Sequence, residues 1–189
     1  MDTEKKWDQI YTNGGHIGEP LQTLVQYRYL LPSIGKALDL ACGTGANAIC
    51  LAQHGLSVDA WDISGVALKD LGELATKTRL AINVKQLDIV PDSIPDKHYD
   101  VIIVSRFLDR SLSAAISASL RTGGMLFYQT FTREKVTNHG PGNARFLLAP
   151  NELPNLFPEL RILVYHDEGA TGDTSLGLRD QSLLIAQKN

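Results

Sequence analysis

The stretch "KALDLACGTGANAICLA", residues 36 to 52, decides the fold because it joins an apolar run to a helical pattern through two glycines. The run predicts a buried strand over residues 37–42, and the residues after Gly45 predict a helix. A strand that leads through Gly-x-Gly into a helix brings its backbone close to a ligand. Gly43 can adopt conformations closed to other residues, and Gly45 has no side chain to block a ligand. Several ligands suit such a turn, so the rest of the sequence is needed to distinguish among them.

Short apolar runs alternate with helical patterns along the whole chain. Strands are predicted over residues 37–42, 56–63, 82–89, 99–105, 123–131, 160–168 and 180–188. Helices are predicted over 45–54, 65–77 and 108–121, with Ser64 as the N-cap of the second. Near-continuous apolar strands separated by helices are typical of a parallel sheet covered on both faces. Only a loop rich in Gly, Thr and Asp separates the last two strands, which favours an antiparallel pair. The predicted fold class is therefore α/β, with a doubly wound sheet that ends in an antiparallel hairpin.

Composition narrows the classes of partner. A length of 189 residues and a net charge of −3 indicate one domain without general attraction to nucleic acid. No apolar run is long enough for a membrane span, and the N-terminal residues lack the apolar core of a secretory signal. Cys42 and Cys50 are expected to be buried and apolar, and no Cys/His spacing indicates a metal site. We expect a cytoplasmic protein with neither a metal nor a disulfide, and with no membrane or nucleic-acid partner.

The ends of the predicted strands carry the candidate binding residues. In an open parallel sheet, ligands bind beyond the carboxyl ends of the strands. Asp62 ends the second strand 19 residues after Gly43, a spacing that suits a carboxylate accepting both hydroxyls of a ribose. At the third strand end, Asp88 and Ile89 could contact an adenine amine and its face, and at the fourth, Ser105 and Arg106 supply a hydroxyl and a cation. Together these positions predict a nucleoside ligand.

Two kinds of nucleotide cofactor remain open at this point. Gly43-x-Gly45-x-x-Ala48 also satisfies the dinucleotide fingerprint, so a nicotinamide-dependent oxidoreductase is an alternative. The 35 residues before the glycine strand and the short chain, with little room for a substrate domain, count against it. Asp39 lies inside the first strand, where an acid is expensive to bury without a partner. A cationic ligand bound nearby would supply the partner that this buried acid needs.

The motifs resemble a known family. "LDLACGTG" (38–45) resembles the first motif of the class I S-adenosylmethionine-dependent methyltransferases, and "VDAWDIS" (58–64) and "YDVIIVSRFLDR" (99–110) extend the likeness. "WDQIY" (7–11) and "GPGNARFLLAPNEL" (140–153) resemble the bacterial tellurite-resistance-like branch of small-molecule methyltransferases. The resemblance implies a seven-stranded sheet, S-adenosylmethionine as cofactor and S-adenosylhomocysteine as product. It also implies a small-molecule acceptor, such as a chalcogen, a thiol or another soft nucleophile. A non-catalytic module that binds S-adenosylmethionine is a further alternative.

The resemblance also implies roles for individual residues. The turn from Ala41 to Gly45 would lie against the methionine portion of the cofactor, with Asp39 nearby, and Asp62 would hold the ribose. The remaining expected contacts are Ile63, Asp88 and Ile89 around the adenine, and Ser105 and Arg106 at the methionine end and the substrate entrance. In-line methyl transfer needs alignment more than acid–base chemistry, so no catalytic triad is expected.

Residues that contact the acceptor are harder to predict. The candidates are Arg106, Tyr128, His139 and Arg145, the last two in the stretch "TFTREKVTNHGPGNARFLL" (130–148). Residues 1–35, which include Trp7, Tyr11 and a predicted turn at Gly14, Gly15 and His16, are interpreted either as a helical cap over the cofactor or as a first helix anchored to the core. Residues 36–189 are interpreted as the Rossmann-like core of a single methyltransferase domain.

Overall fold

The computed structural model describes residues 3–14 and 16–189, which form one seven-stranded sheet flanked by helices. The strands are β1 (Lys36–Leu40), β2 (Ser57–Asp62), β3 (Ile82–Gln86), β4 (Tyr99–Ser105), β5 (Leu120–Phe131), β6 (Leu160–His166) and β7 (Gln181–Lys188). The α-helices are α1 (Thr3–Gly14), α2 (Gln22–Gln26), α3 (Ala46–His54), α4 (Gly65–Thr78), α5 (Ser113–Ser119) and α6 (Glu152–Leu156). None of the helices in these two ranges is both long enough and apolar enough to span a membrane.

The sheet order is β3-β2-β1-β4-β5-β7-β6, which confirms the predicted doubly wound architecture. Strands β1 to β5 are parallel to one another, and β7 runs antiparallel to both β5 and β6. The winding reverses between β1 and β4, so the carboxyl end of β1 lies at the switch point where ligands bind in such sheets.

Side chains alternate between two cores, one on each face of the sheet. Leu38 and Leu40 of β1 belong to the core that α5 and α6 cover, whereas Ala37 belongs to the core covered by α2, α3 and α4. By the same alternation, Asp39 faces the α3 side, where it is fully buried. The fold therefore places an acid in the interior directly before the glycine turn.

Two predicted boundaries were wrong. Strand β3 ends at Gln86, so Asp88 and Ile89 lie in the loop that follows it rather than at the strand end. The helix predicted over 108–121 is reduced to a 3₁₀ turn and the short α5, because Leu120 pairs with Tyr99 and so begins β5 early. Cross-strand pairing thus overrides the local helical pattern at this position.

Ser64 begins helix α4 as its sequence position predicts. Its side chain accepts a hydrogen bond from the amide of Ala67 at 3.2 Å, and α4 then runs from Gly65 to Thr78. An N-cap of this kind satisfies one of the amides that a helix leaves without a partner.

Gly45 serves helix packing, which differs from the ligand-facing role expected from the sequence. It lies in the left-handed region with φ +81°, and a Cβ atom at this position would overlap the side chain of Leu71 on α4. The close approach of the turn to α4 therefore requires glycine, for reasons of both conformation and space.

We expect Gly45→Ala to lower the free energy of unfolding by roughly 2–5 kcal/mol, as the sum of left-handed strain and overpacking against Leu71. Urea denaturation of the two proteins measures this loss. Gly123→Ala is the matched control, because Gly123 has φ +80° with nothing within 4 Å of the added Cβ. The control should lose only the conformational part, and equal losses in the two variants would show that Leu71 plays no role.

Candidate functional site

The turn after β1 is built from left-handed backbone. Ala41, Gly43 and Gly45 have φ values of 56°, 54° and 81°. For a residue with a Cβ this conformation costs roughly 1–2 kcal/mol, so Ala41 stores strain at the carboxyl end of the central strand. The amide of Cys42 donates to the carbonyl of Trp61 at 2.9 Å, which holds the turn against the end of β2.

Gly43 lies next to the side chain of Tyr11, a residue of helix α1. A Cβ atom at Gly43 would lie 2.7 Å from the hydroxyl oxygen of Tyr11 on α1. Helix α1 therefore passes over the turn, and the missing side chain of Gly43 leaves space that Tyr11 borders.

Asp62 ties the end of β2 to the glycine turn. Its Oδ2 accepts from the amide of Gly43 at 2.8 Å, and its Oδ1 accepts from the amide of Ser64 at 2.9 Å. Burial raises the pKa of Asp62, against the opposing effect of these two amide donors, and the nearby Asp8 raises it further. Each oxygen retains a second lone pair, so the carboxylate can still accept from a ligand.

Asp39 is a buried acid without a satisfied partner. Its side chain is fully buried, and among the residues that the structure describes neither carboxylate oxygen finds a hydrogen-bond donor of normal geometry. Burial raises the pKa of Asp39 to about 7, the amide of Ala48 opposes this in part, and the Asp62 carboxylate adds to it. A buried polar group left unpaired is costly, and such groups concentrate at functional sites.

Helix α1 covers the turn and is held by polar contacts. Ser64 Oγ donates to Asp8 Oδ1 at 2.6 Å, and Gln86 Nε2 donates to Glu4 Oε1 at 3.0 Å. The rings of Trp7 and Tyr11 stack with centroids 6.0 Å apart, and α1 has no buried residue. Burial, followed by the Asp62 charge, raises the pKa of the Tyr11 phenol. Helix α1 is therefore a cover attached at few points, not a core element.

The end of β4 adds a second strained residue to the rim. Arg106 has φ 55°, its amide donates to the carbonyl of Gln129 at 2.8 Å, and its side chain is exposed. Ser105 is half-buried directly before it. The sheet thus brings both residues to the same edge as the glycine turn.

The loop after β3 contributes apolar surface to this edge. Ile89 is half-buried and packs against the same core cluster as Ala41 and Phe107, whereas Asp88 is exposed. Ile63 is half-buried, and its carbonyl accepts from Gln86 Nε2 at 3.2 Å. The structure brings Ile89 towards the turn, and it leaves Asp88 on the surface.

The residues predicted to contact the methyl acceptor lie in two different environments. Tyr128 is buried, its hydroxyl donates to the carbonyl of Phe107 at 3.2 Å, and its ring packs on Phe157. These contacts argue for a packing role and against a catalytic one. His139 and Arg145 are both exposed on the segment after β5, with the His139 ring edge-on to Phe131.

Sequence reasoning missed the pairs that hold these elements together. Asp8 and Ser64 are 56 positions apart, and Arg110 and Glu152 are 42 apart. No local pattern links residues at such separations. Only the "WDQIY" motif, which contains Tyr11, marked α1 as part of the site.

A cavity of about 390 Å³ lies between the segment Ile17–Pro20, α2 and the face of α3 that begins at Ala46. Its lining contains neither Asp39 nor Asp62, and at Gly43 the hydroxyl of Tyr11 fills the nearest space. A ligand seated over Gly43 would therefore have to displace the Tyr11 side chain. Across the described ranges, no group of three or more His, Cys, Asp or Glu side chains is arranged to hold a metal ion.

A family model for tellurite resistance protein TehB matches residues 24–170 of the chain. A curated relative from Haemophilus influenzae, a probable S-adenosyl-L-methionine-dependent methyltransferase TehB, is 29% identical over 140 residues. The alignment covers 70% of this chain and 48% of that protein, so the chain spans about half the length of the curated relatives it matches.

Solved structures share the fold. The crystal structure of TehB from Haemophilus influenzae has a TM-score of 0.73 at 22% identity, covering 97% of this chain and 67% of that one. A structure from echinomycin biosynthesis, concerned with conversion of a disulfide bond into a thioacetal group, has a TM-score of 0.72 at 19% identity. It covers 98% of this chain and 93% of that chain. These likenesses confirm the predicted seven-stranded fold.

Because its pKa is raised in the folded state, Asp39 should destabilise the ligand-free protein as pH rises from about 4 to about 7. The native state binds the proton more tightly than the unfolded chain, and each pKa unit is worth roughly 1.4 kcal/mol. We therefore expect Asp39→Asn to increase the free energy of unfolding, and to do so by more at pH 8 than at pH 5. Urea denaturation at the two pH values measures the difference.

Asp59→Asn is the matched control. Hydrogen bonds from Asn83, Tyr99 and Lys36 outweigh burial and lower the pKa of Asp59, so its ionised form stabilises the fold. This variant should be less stable than the unaltered protein, by a similar amount at pH 5 and pH 8. An effect of Asp39→Asn that does not change with pH would show that Asp39 is not a buried, titrating acid.

Proposed function

We propose, since the chain belongs to the tellurite resistance protein TehB family, that it transfers a methyl group from S-adenosylmethionine to a small-molecule acceptor. The family match confirms the resemblance that the glycine-turn and "GPGNARFLLAPNEL" motifs indicated. One observation carries the proposal: the carboxylate of Asp39 is buried beside the glycine turn with both oxygens unpaired. A cationic ligand, such as one with a sulfonium and an ammonium group, would supply the missing partner.

The charges around the turn favour a sulfonium nucleoside over a dinucleotide. Asp62 raises the pKa of Asp39, and Asp8 raises that of Asp62, so three carboxylates act on one another at this edge. A pyrophosphate would add two further negative charges there, whereas a cation would relieve the repulsion. This argues against the nicotinamide-dependent alternative.

The residues present fit the cofactor. Asp62 has free lone pairs for the ribose hydroxyls. The space beside Gly43, which the Tyr11 hydroxyl occupies, would take the methionine portion along the turn from Ala41 to Gly45 once Tyr11 moves aside. We assign the remaining contacts as the sequence suggests: Ile63, Ile89 and Asp88 around the adenine, and Ser105 and Arg106 towards the acceptor. Asp88 has the weakest support, because it is exposed in the loop after β3.

We further propose that residues 1–35 cap a core of residues 36–189 within a single domain. The polar tethers and the absence of buried side chains in α1 support this, since such a helix can lift away at low cost. The sequence also suggested a turn at Gly14 and Gly15, and Gly15 lies outside the described residues.

In the proposed mechanism, the chain aligns the reactants and excludes water. The bound cofactor would supply an electrophilic methyl group on a neutral leaving group, so the chain would mainly have to hold it in line with a lone pair of the acceptor. Asp39 and Asp62 would hold the ends of the cofactor, and Tyr11 with α1 would close the site over the turn. Alignment of this kind is worth roughly 7–11 kcal/mol of the barrier.

The acceptor proposed is a small soft nucleophile, such as a thiolate or a chalcogen anion. Such a nucleophile carries no proton of high pKa, so it needs no general base. Arg106, His139 and Arg145 are the candidate contacts, since their side chains are exposed at the proposed acceptor side of the site. Tyr128 is left out because its hydroxyl is already committed to Phe107.

Calorimetric titration with S-adenosylmethionine, S-adenosylhomocysteine, NAD and NADP tests the proposed cofactor. We expect the two sulfur nucleosides alone to bind, and Asp62→Asn to weaken that binding by about 10–100-fold through loss of charged hydrogen bonds. Asp59→Asn, a change at a carboxylate on the same strand but the opposite face, should leave the affinity unchanged. Binding of NAD or NADP instead would favour an oxidoreductase. Binding without methyl transfer to selenite, tellurite or 2-mercaptoethanol would favour a non-catalytic module.

Hydrogen exchange of residues 3–14 tests the cap. We expect their amides to exchange more slowly with S-adenosylhomocysteine present, because the ligand holds α1 closed. Asp8→Ala removes the tether to Ser64 and should speed exchange of α1 in the free protein. Lys5→Ala, at an exposed position of the same helix, is the control. Equal protection of α1 with and without ligand would rule out a cap that responds to the cofactor.

A further inference from the structure

The segment between β5 and α6 carries His139 and Arg145, and two buried or half-buried carboxylates hold it. We define residues 133–149 as the acceptor loop. Most of its middle is exposed, including the run from Thr137 to Gly140. An exposed loop with two glycines needs fixed points if its side chains are to occupy defined positions.

The first fixed point is Arg110, in the turn after β4. Its guanidinium forms a two-pronged pair with Glu152, with Nε to Oε1 at 2.5 Å and Nη2 to Oε2 at 3.0 Å. The same group donates to the carbonyls of Arg145 at 2.7 Å and Leu147 at 3.1 Å. Glu152 also accepts from the amide of Ala149 at 2.7 Å. Arg110 therefore joins the turn after β4 to the C-terminal half of the acceptor loop.

The charges of this pair are mutually stabilised. The hydrogen bond from Arg110 lowers the pKa of Glu152, and the bond to Glu152 raises the pKa of Arg110. Planar two-pronged pairing fixes the direction of the guanidinium as well as its charge, which lysine cannot reproduce.

The second fixed point is Asp180, at the residue before β7. It is buried, with φ 62°, and its Oδ1 accepts from the amides of Val136 at 2.6 Å and Thr137 at 3.1 Å. Its Oδ2 accepts from the hydroxyl of Thr137, whose oxygen in turn accepts from the amide of His139 at 3.0 Å. Asp180 therefore holds the N-terminal half of the acceptor loop next to His139.

We propose that Arg110, Glu152 and Asp180 are positioning residues for the acceptor, which they act on through the loop and do not touch. The inference rests on the proposed methyltransferase function. The carbonyl of Arg145 accepts directly from Arg110. The amide of His139 is connected to Asp180 through the hydroxyl of Thr137. The turn that carries Arg110 comes shortly after Ser105 and Arg106 in the chain. The pair of Arg110 and Glu152 therefore connects the end of β4 to the acceptor loop, the two segments that carry the proposed acceptor contacts.

Two variants, Arg110→Lys and Asp180→Asn, test the proposal. Arg110→Lys keeps the positive charge but removes the two-pronged guanidinium pairing with Glu152. We expect each change to raise the KM for the acceptor by about 5–20-fold, with a smaller change in kcat. The affinity for S-adenosylhomocysteine, measured by calorimetry, should stay within about twofold. Selenite and 2-mercaptoethanol serve as acceptor probes, and hydrogen exchange over residues 133–149 reports the loop directly without any ligand.

Arg121→Lys is the matched control. Arg121 pairs with Asp100 at 2.9 Å, so it joins β4 and β5 at the opposite end of the sheet from Arg110. It should change neither the exchange of residues 133–149 nor the KM for either probe.

Faster exchange of the loop with an unchanged KM would overturn the positioning role. So would a parallel loss of S-adenosylhomocysteine affinity, because that would indicate a general loss of structure. Unchanged loop exchange in Arg110→Lys would overturn the anchor itself, whether or not either probe is methylated. Failure of the proposed function is distinguishable, since it would show in the unaltered protein as absence of S-adenosylhomocysteine binding.

Discussion

The hydrogen bond from the amide of Gly43 to Asp62 is the interaction on which the proposed ligand-binding edge depends. It closes the turn after β1 onto the end of β2, and the other oxygen of Asp62 accepts from Ser64, which caps α4. The hydroxyl of Ser64 continues the chain of bonds to Asp8 on α1. One continuous hydrogen-bonded path therefore leads from the glycine turn to the helix that covers it. A ligand that competes for Asp62 acts on the turn and on the cover together.

The proposed site contains groups that lower the stability of the ligand-free protein. Asp39 is buried without a partner, and Ala41 adopts a conformation that residues with a Cβ rarely hold. Both features oppose folding of the free protein, and both lie at the same strand end. The opposite end of the sheet differs, because there the carboxylate of Asp59 is satisfied by Lys36, Asn83 and Tyr99. Polar groups at that end contribute to stability, whereas those at the glycine turn are left available for a ligand.

Features set by local sequence could be predicted, and features set by distant contacts could not. Apolar runs predicted the strands of the parallel core, and the position of Ser64 predicted the start of α4, because capping and periodicity are local. The packing role of Gly45 could not be predicted, since it depends on Leu71 of another helix, which fills the space beside it. The end of β3 and the burial of Tyr128 depend on sheet register and on Phe157. The pair of Arg110 and Glu152 joins two segments 42 residues apart, and the sequence pattern around either residue does not predict the other.

The placement of β7 between β5 and β6 has a consequence for synthesis on the ribosome. Strand β6 leaves the exit tunnel before β7, yet in the finished sheet it pairs only with β7. Until Gln181–Lys188 emerges, β5 also lacks its antiparallel neighbour, so two strand edges with apolar side chains stay open at once. Open edges of this kind are sites of association between chains. The nascent protein is therefore most exposed to aggregation, and most dependent on chaperones, in the interval just before its last strand is made.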